Sequence, residues 1–116
     1  MEMKGTGKLL RVYVGADDQL KNRPLFEAIV LALREIGLAG ATVLRGIEGF
    51  GADSKVIHSA RLLRLSQDLP ILIEVVDTEE KISGAIEVIE EMLESADCGS
   101  LMTLEKVEII RYKPGD

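Results

Sequence analysis

A chain of 116 residues holds one domain, spanning residues 1–116 and large enough to bury a hydrophobic core. Its formal charge of −6 argues against a nucleic-acid binder, which needs a dense basic surface. One cysteine, Cys98, excludes an intrachain disulfide framework and fits a reducing compartment, while 3 % aromatic residues require an aliphatic core. The opening MEMKGTGKLLRVYVG lacks an apolar run of signal-peptide length. No stretch approaches the roughly 18 apolar residues of a membrane span, so the expectation is a cytoplasmic protein without direct membrane insertion.

Residues 8–15 alternate, with Leu10, Val12 and Val14 on one face and Arg11 and Tyr13 on the other, the period of a half-buried strand. A polar loop follows, containing Asp17, Asp18, Lys21 and Asn22. Pro24 suits the first position of a helix, where its missing N–H leaves nothing unpaired. That helix carries Leu25, Ile29 and Leu33, and Gly37 is its expected stop. A second strand is read over 41–48. It ends in Gly49-Phe50-Gly51, where two glycines around an aromatic residue let the backbone approach a ligand or another chain.

Residues 52–68 have no clean period and carry Lys55, His58, Arg61 and Arg64, which suggests a functional or mobile segment. PILIEVVD, 70–77, reads as a third strand. Asp77 and Glu80 read as a capping box for a helix over 78–94, with Ile82, Ile86, Ile89 and Leu93 inward and an acidic outer face. Asp97-Cys98-Gly99 forms a turn into a last strand over 102–112.

The order β-α-β-β-α-β with right-handed crossovers gives an α+β, ferredoxin-like fold: a four-stranded antiparallel sheet with two helices on one face. The other face, expected to hold Leu9, Val43 or Ile110, is left for other subunits to cover.

Reactive chemistry is sparse. His58 stands alone, without the partners of a zinc site, and would need Ser54, Ser59 or Ser66 beside it to act as a base. Glu87, Glu90, Glu91 and Glu94 have the spacing of a solvated helix face rather than a metal centre. The first loop, GADDQLKNRP, lacks the phosphate cradle of acylphosphatase-type chemistry. Glu74 interrupts an apolar strand, so it either faces solvent or pairs with a base such as Arg11, Arg45 or Arg111 at a subunit contact.

ALREIGLAGATVLRGIEGFG, a loop ending in LP and then IEVVDTEEKISGAIEVIEEM resembles the PII signalling proteins. KLLRVYVG followed by RPLFEAIVLALREIGLAGATVLRGIEGFG resembles their DUF190 (UPF0166) branch, over about Lys8 to Lys113. This resemblance implies a non-enzymatic homotrimer with small-molecule clefts between neighbouring subunits. It implies no resident cofactor, but a regulatory ligand, an adenine nucleotide such as AMP or ADP. The implied partner is a membrane transporter or channel, engaged through an effector loop at 52–68.

Carried over by position, Thr42 and Val43 contact the base, while Gly49, Phe50 and Gly51 line the phosphate side. Asp97 and Gly99 form the short loop opposite, Arg111 with Lys113 nearby meets phosphate, and Glu74 joins the site. The chain departs from the PII pattern at Ala52 and Asp53 after the glycine bend, at Ser100 in place of a lysine, and at Ile109 in place of an arginine. Loop bases Lys55, His58, Arg61 and Arg64 are the expected substitutes. The competing readings are a CutA-like trimer concerned with metal tolerance and a small enzyme using His58.

Overall fold

The computed structural model of the chain describes residues 2–52 and 69–115. The effector-loop residues Lys55, His58, Arg61 and Arg64, and the serines around His58, lie outside the described residues.

Four strands form one antiparallel sheet: β1 (Met3–Gly15), β4 (Thr42–Arg45), β5 (Pro70–Asp77) and β6 (Leu101–Tyr112), in the order β4-β5-β1-β6. Helices α1 (Leu25–Glu35) and α2 (Glu79–Ala96) supply the crossovers, which is the ferredoxin-like arrangement the element order predicts. Between β1 and α1 the polar loop contains a small ribbon, β2 (Gln19–Leu20) paired with β3 (Arg23–Pro24). Lys21 and Asn22 at its tip both have positive φ, 51° and 65°, as a two-residue hairpin turn of the primed type requires. Pro24 therefore closes the ribbon with ψ 131°, and α1 begins one residue later than its position in the sequence suggests.

The alternation read in β1 becomes the core. Leu10, Val12 and Val14 lie beside Val75, Ile73 and Ile71 of β5, beneath Leu25, Ile29 and Leu33 of α1 and Ile82, Ala85 and Ile89 of α2. All twelve are aliphatic and no more than 4 % exposed, as the scarcity of aromatic residues demanded. Burying each large one contributes about 1.5–3 kcal/mol before conformational entropy is subtracted. Gly37, φ +89°, terminates α1, with Leu38 N–H donating back to Leu33 O at 3.1 Å.

Three of the differences from the sequence reading are decided by partners elsewhere in the fold. β1 begins at Met3 rather than at 8, because β6 extends to Tyr112 and offers a ladder that the glycine-bearing MKGTG accepts. β4 stops at Arg45 rather than 48, because β5 begins at Pro70. Gly46 N–H donates to Pro70 O at 2.8 Å, but proline has no N–H to return. The helix cap is Thr78, whose Oγ1 accepts Lys81 N–H at 3.3 Å, and not Asp77. Asp77 remains in β5 and is 1 % exposed.

Directly opposed residues share a face of the sheet. One row across the face without helices reads Leu44, Leu72, Tyr13, Leu101, and the next reads Thr42, Glu74, Arg11, Thr103. Leu9 lies on that face as expected. Val43 does not: it opposes Ile73, a core residue, and so sits on the helix side.

Candidate functional site

The residues singled out above fall into two groups at opposite ends of the sheet. The first group gathers where β1 ends and where β5 and β6 begin. Gly46 caps the ladder on Pro70, and Gly49 takes φ +147°, with the site of an added Cβ 3.5 Å from Pro70 Cγ. This bend swings Phe50 out to 65 % exposure. On the other side, Asp97 adopts the left-handed conformation (φ 52°, ψ 48°) at the end of α2 and turns the chain toward Gly99 and Ser100. Phe50, Gly51, Gly99 and Ser100 then line one cleft of about 480 Å³, with Tyr13 and Pro70 also in its wall. No charged side chain lines it among the described residues, so it suits a flat or neutral group better than a bare anion.

The second group lies at the far end. Thr42 and Glu74, opposed across β4 and β5, line a cleft of about 340 Å³ with Ala39, Gly40 and Tyr112. Two side chains pin its wall. Asp77 Oδ2 accepts Ala39 N–H at 2.8 Å, and Tyr112 Oη donates to Ala39 O at 3.0 Å. Glu74 pairs within its own chain with one of the bases expected for it. Arg11, directly opposite on β1, donates Nε–H to its Oε2 at 3.0 Å and an Nη1 hydrogen to Glu105 Oε1. Hydrogen bonds donated to these carboxylates, Glu74 first, raise the Arg11 pKa, so the guanidinium stays charged throughout the working range. With two carboxylates already on Arg11, this end presents acceptors rather than a free cation.

Arg111 and Lys113 line an adjoining cleft of about 420 Å³, which shares Tyr112 with the previous one. Ile109 is 8 % exposed and packs against Gly7.

Ten residue steps along β6 separate Leu101 from Arg111, about 34 Å of strand, so the glycine bend and Arg111 of one chain cannot touch the same small ligand. Sequence reasoning missed Tyr13 and Tyr112 as parts of these clefts. The two tyrosines had a signal, being half of the chain's four aromatic residues. Arg11 was among the bases expected to meet Glu74, whereas the contact of Asp77 with Ala39 had no signal, because the two lie 38 positions apart.

This sheet order, with two helices supplying the crossovers, is a ferredoxin-like fold of the kind found in PII-like proteins. Solved structures of PII-like proteins overlay the chain. The putative PII-like signalling protein TTHA0516 of Thermus thermophilus has TM-score 0.62 at 18 % identity, covering 93 % of this chain and 94 % of that one. CPII of Thiomonas intermedia K12, bound to ADP and bicarbonate, has TM-score 0.63 at 15 % identity, covering 94 % and 91 %. Within the class the chain belongs to the DUF190 family (Uncharacterized ACR), whose sequence profile matches residues 7–109. A UPF0166 protein of Aquifex aeolicus strain VF5 is 37 % identical over 103 residues, 89 % of this chain and 92 % of the relative.

Proposed function

We propose that this chain is a non-enzymatic, PII-like regulatory protein that assembles as a homotrimer and binds an adenine nucleotide between subunits. The observation that carries this reading is the separation of the two groups. The neutral cleft at Phe50, Gly51 and Gly99 and the polar ends at Thr42, Glu74 and Arg111 are complementary halves held apart on one chain. A ring of copies that seats one end against the next unites them. The half-exposed row Leu44, Leu72, Tyr13, Leu101 supports such association, because apolar surface across a whole sheet gains from being covered.

A relative of the same fold, CPII, is a nucleotide binder in its ADP-bound form, which supports the ligand class. AMP or ADP suits this chain better than ATP. Ala52, Ser100 and Ile109 stand where the PII pattern has polar or basic residues, so less positive charge faces a long phosphate chain. Residues 52–68, following the bend, are the segment through which occupancy reaches a partner. A membrane transporter or channel is the partner class the family resemblance suggests.

Light scattering on the purified chain tests the assembly, and calorimetry with AMP, ADP, ATP and cyclic AMP on the same sample tests the ligand. A trimer that binds AMP or ADP is expected. A monomer at working concentration, or a trimer indifferent to all four nucleotides, overturns the reading.

A further inference from the structure

The clefts at Thr42/Glu74 and at Arg111/Lys113 meet at Tyr112, so together they form a groove with an acceptor-rich end and a basic end. A third cation lines the basic end: Lys4, from the extension of β1 that the sequence pattern did not reveal. Its place follows from a register shift. Met3 pairs with Tyr112 and Gly5 with Ile109, so Lys4 alone opposes two β6 residues, Ile110 and Arg111. Such a bulge breaks strand alternation and re-aims the side chains beside it. Lys4 and Arg111 thereby line one cleft, joined by Lys113 two residues further along the chain. Against them stands only Glu2 among the charged lining residues, in a chain whose formal charge is −6. Lys4 is exposed and free to reorient.

We propose that Lys4 is a phosphate-binding residue that, with Arg111 and Lys113, holds the anionic end of the ligand, while Thr42 and Glu74 face its uncharged end. The identity of the ligand rests on the nucleotide reading above; the anion site does not. At the other end Glu74, which lines the groove, shares Arg11 with Glu105, leaving a net negative charge that disfavours phosphate there, so the ligand has one electrostatically favoured direction.

The test is calorimetry of the wild type, Lys4→Gln and Lys4→Arg with adenosine, ADP and inorganic pyrophosphate. Loss of one charge-assisted contact is expected to weaken ADP about tenfold in Lys4→Gln, with adenosine unchanged and Lys4→Arg near the wild type. Binding of ADP that is equal in wild type and Lys4→Gln overturns the role of Lys4 and leaves the nucleotide reading standing. Equal weakening of adenosine and ADP also overturns it, because a charge contact discriminates between them. Pyrophosphate bound in a Lys4-dependent manner by a protein that ignores adenosine and ADP supports the anion site and removes the nucleotide reading. Binding of none of the three by the wild type removes both.

Discussion

Removing the Asp77 carboxylate should loosen the wall of the Thr42/Glu74 cleft, and the size of the effect can be worked out from two hydrogen bonds. Oδ2 accepts Ala39 N–H at 2.8 Å and Oδ1 accepts Thr78 N–H at 2.7 Å, with the residue 1 % exposed. Hydrogen bonds to a charged acceptor contribute about 1.5–3 kcal/mol each when their loss leaves a partner dry. Thr78 is exposed, so water replaces much of its share, whereas Ala39 is half-buried and keeps most of the penalty. Asp77→Ala should therefore lose about 3 kcal/mol. Asp77→Asn should lose about half as much, because its amide oxygen can accept one N–H while its NH₂ meets the other donor.

Urea denaturation at one fixed protein concentration reads both variants, since an oligomer's midpoint depends on concentration. With a urea slope of about 1.5 kcal/mol per molar, Asp77→Ala should move the midpoint by about 2 M. The reasoning is refuted if Asp77→Ala shifts it by less than about 0.5 M, or if Asp77→Asn costs as much as Asp77→Ala.

Gly49→Ala should lose about 1–2 kcal/mol from backbone strain alone, since φ +147° is unfavourable for alanine while the added Cβ meets Pro70 at only ordinary contact distance. Gly40→Ala, with open space and no positive φ, is the control, and equal melting temperatures for the two variants would count against the strained bend. Tyr112→Phe should cost about 1 kcal/mol by removing the hydrogen bond to Ala39 O, and should weaken nucleotide binding while retaining the fold. A variant as stable as the wild type in urea would mean that the hydroxyl merely exchanges one acceptor for water.

The core and the element order were legible because they are periodic. Alternation in RVYV, the three-and-four spacing of Ile82, Ile86, Ile89 and Leu93, and the stop at Gly37 are each consequences of local geometry that a single segment carries. The residues GFG announced a bend, and the structure places Phe50 and Gly51 opposite Gly99 on one cleft. What the segments could not carry was partnership. Whether β1 starts at Met3 depends on the length of β6, and whether β4 stops at Arg45 depends on a proline in β5.

Asp77 looked like a cap because the residues after it begin a helix, yet its carboxylate is committed to Ala39, thirty-eight positions away. The same holds for charge. Glu74 was a visible oddity in an apolar strand, but only the pairing register puts Arg11 against it and Glu105 on the other side of that arginine. Sequence alone determined which residues seek the interior, because hydrophobicity and backbone period are properties of neighbours along the chain. The tertiary structure decided which polar groups meet, and it set the glycine bend and the basic groove at opposite ends of the sheet, because strand register is fixed only when the whole sheet closes.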